Sequence, residues 1–116
     1  HVDEKRVEYA LAASGISGFE TAFALCNTAM VLTGLMDINM LISKMTCEPA
    51  RVLGLNAGTL TPGAAADVVV IDPNEVWAID PQKFLSKGKN TPFKGKVVTG
   101  AIKRTYVAGK CVWQEG

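Results

Sequence analysis

Only one histidine occurs among the 116 residues, and it stands at position 1. A hydrolytic zinc site needs at least three protein ligands, commonly several histidines with a carboxylate, so these residues alone cannot build one. A Ser–His–Asp arrangement would have to rest on the same terminal residue. A nucleophilic thiol would lack a second histidine to activate it. His1 itself reads either as a solvated chain end or as a group near an active site. Cysteine is scarce too: Cys26, Cys47 and Cys111 form no CxxC pair and no short regular spacing, which points to a reducing compartment rather than a disulfide framework. No apolar run of membrane-spanning length and no secretory signal pattern is present, so a cytoplasmic protein with no membrane partner is expected. Neither sign of charge dominates, with 12 Lys+Arg against 11 Asp+Glu. The nearest thing to a basic cluster is Lys87, Lys89, Lys94, Lys96, Lys103 and Arg104, interrupted by turn residues. It reads as a solvated face, and no nucleic-acid partner is expected.

What is present is ordinary for a globular protein: 48% hydrophobic and 20% charged residues. The length suits one domain or parts of two, with a modest core. Because the chain opens on His1 rather than on methionine, a piece of something longer is expected. From His1 to Ser14 the sequence is charged and then Ala-rich, with weak helical spacing at Val7, Ala10 and Leu11.

Gly15-Ile16-Ser17-Gly18-Phe19-Glu20 follows. Ser17 with Glu20 three residues later has the form of a capping box. Phe19, Ala22, Phe23, Cys26 and Met30 then recur at the spacings of one helical face, with Gly34 as the stop. Cys26 is expected in the core. Taken alone, the Gly15–Gly18 stretch reads either as a plain capped helix start or as backbone N–H groups offered to an anion. Asp37 is a second N-cap, leading Ile38, Leu41, Ile42 and Met45 along one face. A third helical turn over 49–53 has Pro49 near its start and Gly54 just past its end.

After Gly54 the composition changes. Gly58, Pro62 and Gly63 mark turns, and Asp67-Val68-Val69-Val70-Ile71-Asp72 reads as a buried strand. Asp67 and Asp72 flank it, where hydrogen-bonding to backbone is their usual role. Pro73-Asn74 reads as a turn before a second strand around Val76–Ile79. Another strand is expected from Lys96 to Tyr106, returning through a tight Ala108-Gly109 turn to Lys110–Trp113 as a hairpin. Helix-rich and strand-rich halves in series suggest two structural units.

Several of these segments together resemble the C-terminal part of dihydroorotases, in the amidohydrolase superfamily. Gly15-Ile16-Ser17-Gly18-Phe19-Glu20-Thr21 resembles the glycine-flanked opening of that family's last barrel helix. Glu48-Pro49-Ala50-Arg51-Val52-Leu53-Gly54-Leu55 resembles an "NPAR-LGL" signature, with Glu48 where Asn is commoner. Gly58-Thr59-Leu60, Gly63 and Ala66–Asp72 resemble the entry to its small β-domain, and Tyr106–Lys110 its closing hairpin. The most discriminating match is Ser86-Lys87-Gly88-Lys89-Asn90-Thr91-Pro92-Phe93-Lys94-Gly95, since hydantoinases and dihydropyrimidinases usually differ there.

The resemblance implies an α/β fold: the C-terminal end of a TIM-type (β/α)8 barrel over residues 1–55, followed over 56–116 by part of a small β-sandwich. It implies a zinc-dependent hydrolase interconverting N-carbamoyl-L-aspartate and dihydroorotate in pyrimidine synthesis. The metal would lie at the C-terminal ends of the barrel strands, with a carboxylate as proton shuttle. Those groups have no counterpart here, so neither catalytic nor metal-binding residues are assigned to this chain. The substrate-binding candidates are His1, Gly15, Ile16, Ser17 and Gly18. His1 matches a substrate-binding histidine of the family or its neighbour, and the spacing to Glu4-Lys5 favours the neighbour. The implied partners are the missing N-terminal barrel segment, further copies in a homo-oligomer and aspartate carbamoyltransferase. Three alternatives stand beside this reading: a non-catalytic scaffold homologue, a hydantoinase-like enzyme, and an independent small binding domain.

Overall fold

The structure is a computed structural model and describes residues 3–116. Its second half is organised by three antiparallel strands in the order β1-β2-β3: Val68–Ala78, Val97–Val107 and Lys110–Gln114. β-Branched residues fill these strands, as a pleated and half-buried surface favours. Between β2 and β3, Ala108 (φ 49) and Gly109 (φ 78) both take positive φ. This is the conformation that lets a two-residue turn follow the right-handed twist of a hairpin, so the expected closing hairpin is present. Asp67 braces it by accepting from Ala108 N at 2.8 Å. Asp72 accepts from Asn74 N at 2.9 Å, so both flanking aspartates bond backbone as expected.

One expectation needs correction here. Pro73-Asn74 does not separate two strands; β1 runs on through it as a single element of 11 residues. The pairing passes from Asp72↔Ala101 to Val76↔Thr99, leaving residues 73–75 bulged opposite Gly100. Proline has no N–H to give the ladder and is tolerated at such a bulge. Gly100 takes φ 107 there, in the region that favours glycine.

The helical half opens with short 3-10 turns at Asp3–Lys5 and Tyr9–Leu11; a third, Phe19–Thr21, continues as α1, Ala22–Cys26, and widens to a π turn over Asn27–Val31. Asp37 caps α2, Ile38–Met45, by accepting from Met40 N at 2.8 Å, as its position predicts. Leu41 is buried from that helix. α3, Cys47–Leu53, ends on Gly54 at φ 65, the left-handed C-cap that the Pro49/Gly54 punctuation foretold. Gly58 also fits tightly: a Cβ there would lie 2.8 Å from the Cys47 Cα.

The buried face of the 19–31 helix differs from the apolar stripe expected. Phe19 is 98% exposed and Met30 lies at the edge, whereas Thr21, Phe23, Ala24 and Asn27 are buried. The reason is polar. Asn27 Nδ2 donates to Pro73 O at 3.0 Å and to Thr99 O at 2.9 Å, and Thr28 Oγ1 accepts from Thr99 N at 2.8 Å. The helix is thus keyed onto the β1 bulge and the Gly100 kink, with the Phe23 ring in the space a side chain at 100 would occupy. Cys26 is half-buried beside this seam, and all three cysteines are free thiols.

Ala24, Ile79, Phe84 and Val98 form the core, joined by Leu25, Trp77 and Phe93. This cluster draws on the helix, both long strands and the loop over 80–96. The described residues contain one three-stranded sheet. Their radius of gyration, 16.2 Å, exceeds the value of about 13 Å expected of a compact domain of this length.

Candidate functional site

Residues 15–18 run across the surface just before the helix. Gly15 takes φ 98, a left-handed conformation in which a side chain would be strained. Its carbonyl oxygen accepts from Lys5 Nζ at 2.9 Å, and the same ammonium also meets Ala13 O. On the other flank the loop over 84–95 closes in. Asn90 O accepts from Ser17 N at 2.7 Å, while Asn90 Nδ2 donates to Gly15 O at 3.0 Å. Asn90 therefore holds Ser17 through its backbone and Gly15 through its side chain. Gly88 lies against Ser17, and a Cβ added there would fall 2.7 Å from the Ser17 hydroxyl.

The expected capping box is not formed. Gly18 is the N-cap and makes no side-chain cap. Glu20 points away from the helix start and accepts from Leu85 N at 2.8 Å and from Ser86 N at 3.0 Å. Two loop N–H groups offer a carboxylate more than one N–H of its own turn would. Partial burial opposes the ionisation of Glu20. Hydrogen bonds from the Ser86 hydroxyl, Ser86 N–H and Leu85 N–H, with the Lys89 charge nearby, outweigh it and hold the carboxyl below its ordinary value.

The loop is anchored at both ends. Phe84 and Phe93 pack into the core, Lys89 Nζ reaches Phe84 O, and Lys96 Nζ stands 5.7 Å from the centre of the Phe93 ring. Further along the basic series, Lys103 bonds Glu75 at 2.6 Å and also Glu115. These paired acids raise its pKa. The basic residues at 89, 96 and 103 thus have particular partners, which the reading as a uniformly solvated face did not anticipate.

Between the 15–20 stretch and the loop lies a cavity of about 210 Å³, bounded by Ile16, Ser17, Gly18, Phe84 and Ser86. A larger cleft of about 480 Å³ opens on the other side of Glu20 and Phe84, floored by the sheet with Trp77 and Trp113. Three of the candidates, Ile16, Ser17 and Gly18, therefore line the smaller cavity, and Gly15 lies next to them, bonded through its carbonyl to Asn90. His1 lies outside the described residues. Among the described residues, no group of three His, Cys, Asp or Glu side chains could hold a metal ion. The donor set of the described residues does not fit the zinc that the resemblance implies. No helix among the described residues is long and apolar enough to cross a membrane.

Asn90 and Asn27 are the residues that reading the sequence missed. The Ser86–Gly95 stretch stood out as a whole, but nothing in an Asn-Thr-Pro turn says which atom its amide will meet. Asn27 had a faint signal, an amide followed by Thr28 inside an otherwise apolar helix.

The architecture and the motifs converge on one class. The amidohydrolase family matches residues 4–112, and the chain belongs to it. Within that class the chain is similar to dihydroorotases. It is 45% identical over 114 residues to the dihydroorotase of Geobacter metallireducens, covering 98% of this chain and 27% of that protein. It is 48% identical over 113 residues to that of Anaeromyxobacter dehalogenans, covering 97% and 26%. The chain thus spans about a quarter of the length of the curated relatives it matches. Among solved structures it is similar to the L-hydantoinase (dihydropyrimidinase) of Arthrobacter aurescens, with a TM-score of 0.83 and 33% identity, covering 92% of this chain and 24% of that one. The D-hydantoinase of a Thermus species gives a TM-score of 0.82 at 26% identity, covering 91% and 24%.

Proposed function

We propose that this chain is the C-terminal portion of a dihydroorotase, a hydrolase that interconverts N-carbamoyl-L-aspartate and dihydroorotate. The observation that carries this reading is where the Ser86–Gly95 loop sits. The stretch that separates dihydroorotases from hydantoinases is the one fastened to Gly15–Gly18 through Asn90. In this reading residues 15–18 form one wall of the substrate pocket. Ser17 N–H is already given to Asn90, so substrate contacts fall to the other members of the wall. The ligands for zinc, the proton-shuttling carboxylate and the first barrel strands come from an N-terminal part of the protein. Residues 1–55 end the barrel, and 56–116 supply strands to a small β-sandwich.

Exposure supports a piece of a larger body over an independent binding domain. Phe19 (98%), Leu60 (80%) and Leu85 (75%) stand open in this chain, as expected of faces that further protein covers. The three free thiols fit a cytoplasmic protein.

A hydantoinase-like activity is the second reading, favoured by the structural likeness to the Arthrobacter L-hydantoinase. Assays of the complete, zinc-loaded protein with N-carbamoyl-L-aspartate, dihydroorotate and a hydantoin separate the possibilities. Dihydroorotate formation without hydantoin opening is expected. Preferential hydantoin opening would establish the second reading, and a complete protein that fails to retain zinc when loaded and turns over none of the three would favour a non-catalytic scaffold. The pocket wall has its own test. Gly18 has an ordinary φ of −133, and the space that a side chain there would enter is open, so Gly18→Val should fold. It is expected to raise KM about tenfold with little change in thermal stability. An unchanged KM removes residues 15–18 from the pocket.

A further inference from the structure

We propose that Asn90 is a positioning residue, which sets the path of the Gly15–Gly18 backbone and thereby the fit of the substrate. The inference rests on the reading above that this backbone lines the pocket. It adds that the pocket wall is held in place from the strand-rich half of the chain.

The geometry is specific. Asn90 makes two opposed bonds across the seam, its carbonyl accepting from Ser17 N at 2.7 Å and its amide donating to Gly15 O at 3.0 Å. These bracket Ile16, so they limit both translation and rotation of the peptide planes on either side of it. Gly15 needs such restraint, because at φ 98 glycine has alternatives on both sides of the map. The clamp is itself held. Phe84 and Phe93 set the ends of the loop in the core, and Phe93 N donates to Thr91 Oγ1 at 3.3 Å, closing the turn beside Asn90. Glu20 adds a second attachment at Leu85 and Ser86, and Gly88 permits the close approach of Ser17.

Asn90 is exposed, so its bonds contribute little to global stability. Their consequence is position. A ligand that depends on backbone groups at 15–18 is sensitive to displacements well below the size of a side chain, and small misplacement of a binding wall costs far more in productive binding than in folding. Loss of the amide donor removes one restraint and leaves the backbone bond from Ser17 in place.

The test uses the complete zinc-loaded enzyme. Asn90→Ala and Asn90→Asp both remove the donor, and Asn90→Asp also sets a carboxylate against the Gly15 carbonyl. Each is expected to raise KM for dihydroorotate about tenfold, with Asn90→Asp the worse. kcat should change less than twofold, and the unfolding temperature should stay near that of the parent. Restoring a donor with Asn90→His should recover part of the loss. Unchanged KM in both donor-lacking variants overturns the proposal, as does a KM rise matched by lost thermal stability or by an equal loss in kcat. Gly18→Val, measured beside them, tells the two failures apart. If it raises KM while Asn90→Ala does not, the pocket stands and the clamp falls. If neither variant changes KM, the pocket assignment falls and the clamp with it.

Discussion

Two seams join the helical and strand-rich halves of this chain, and they are built on opposite principles. At the first, the 19–31 helix meets the Gly100 kink with Thr21 and Asn27 fully buried and Phe23 pressed against bare backbone. At the second, the 15–20 stretch meets the 84–95 loop through solvent-exposed groups, chiefly Glu20 and Asn90. Buried polar contacts are expensive to break because the abandoned group cannot turn to water. Exposed ones exchange partners cheaply. The first seam therefore determines whether the halves stay together, and the second fixes the path of the 15–20 backbone, the wall of the proposed pocket. Hydrogen bonds of the same kind serve stability in one place and placement in the other.

The sharpest way to break this contrast is at Gly100. An alanine there must hold φ 107, and its Cβ would stand 2.9 Å from Phe23 Cε1 and 3.0 Å from Asn27 Nδ2. Backbone strain and overpacking act together, and a loss of about 3 kcal/mol is expected. Denaturant titration of the complete protein measures it. A loss under about 1 kcal/mol would mean that the first seam yields easily and that the contrast is false. Asn27→Ala tests the same seam from the helix side. It leaves the Pro73 and Thr99 carbonyls without their amide donor, and a loss of about 2 kcal/mol is expected. Asn27→Leu should fare no better, since its apolar side chain cannot replace the amide donor, and the Thr99 carbonyl keeps only the longer bond from Thr28 Oγ1 at 3.4 Å. A stabilised Asn27→Leu would show that packing, rather than the amide, holds the seam.

The two seams also differ in how far they could be read in advance. The elements around them were legible where a residue's own backbone demanded it. The Asp37 cap, the Gly54 stop and the Ala108-Gly109 turn each depend on a local conformation that few residue types allow. Three readings failed because the deciding partner was distant in sequence. Ser17 and Glu20 have the capping-box spacing, but Glu20 found Leu85 and Ser86 instead. Pro73-Asn74 has the composition of a turn, but the helix amide at Asn27 and the glycine at 100 turn it into a bulge within one strand. The apolar stripe through Phe19 and Met30 failed for the same reason, because polar keying at Asn27 and Thr28 set which face turns inward. Three of the five candidate site residues, Ile16, Ser17 and Gly18, line one cavity. The Asn90 bonds beside them were invisible, since a side-chain amide has no periodicity to betray its partner.

The smallest effect expected belongs to the second seam, and its pH dependence identifies it. Glu20 is held below its ordinary value of 4.5; burial raises its pKa, but bonds from Ser86 and Leu85 and the Lys89 charge outweigh that effect. A carboxyl depressed in the folded state contributes stability that is fully present above the unfolded value and is lost as pH falls through the folded one. Glu20→Gln keeps one acceptor oxygen but loses the charge. Because the group is exposed, solvent screening limits the cost to about 0.5 kcal/mol near neutral pH. Stability of parent and variant, compared across acid pH, should converge as the carboxyl protonates below 4.5. A gap that stays constant through that range would mean that the charge is not what draws Leu85 and Ser86 in. The second seam would then be held by uncharged hydrogen bonds, like the first. A gap that closes, while Gly100→Ala and Asn27→Ala keep theirs, would show that the two seams answer to different forces.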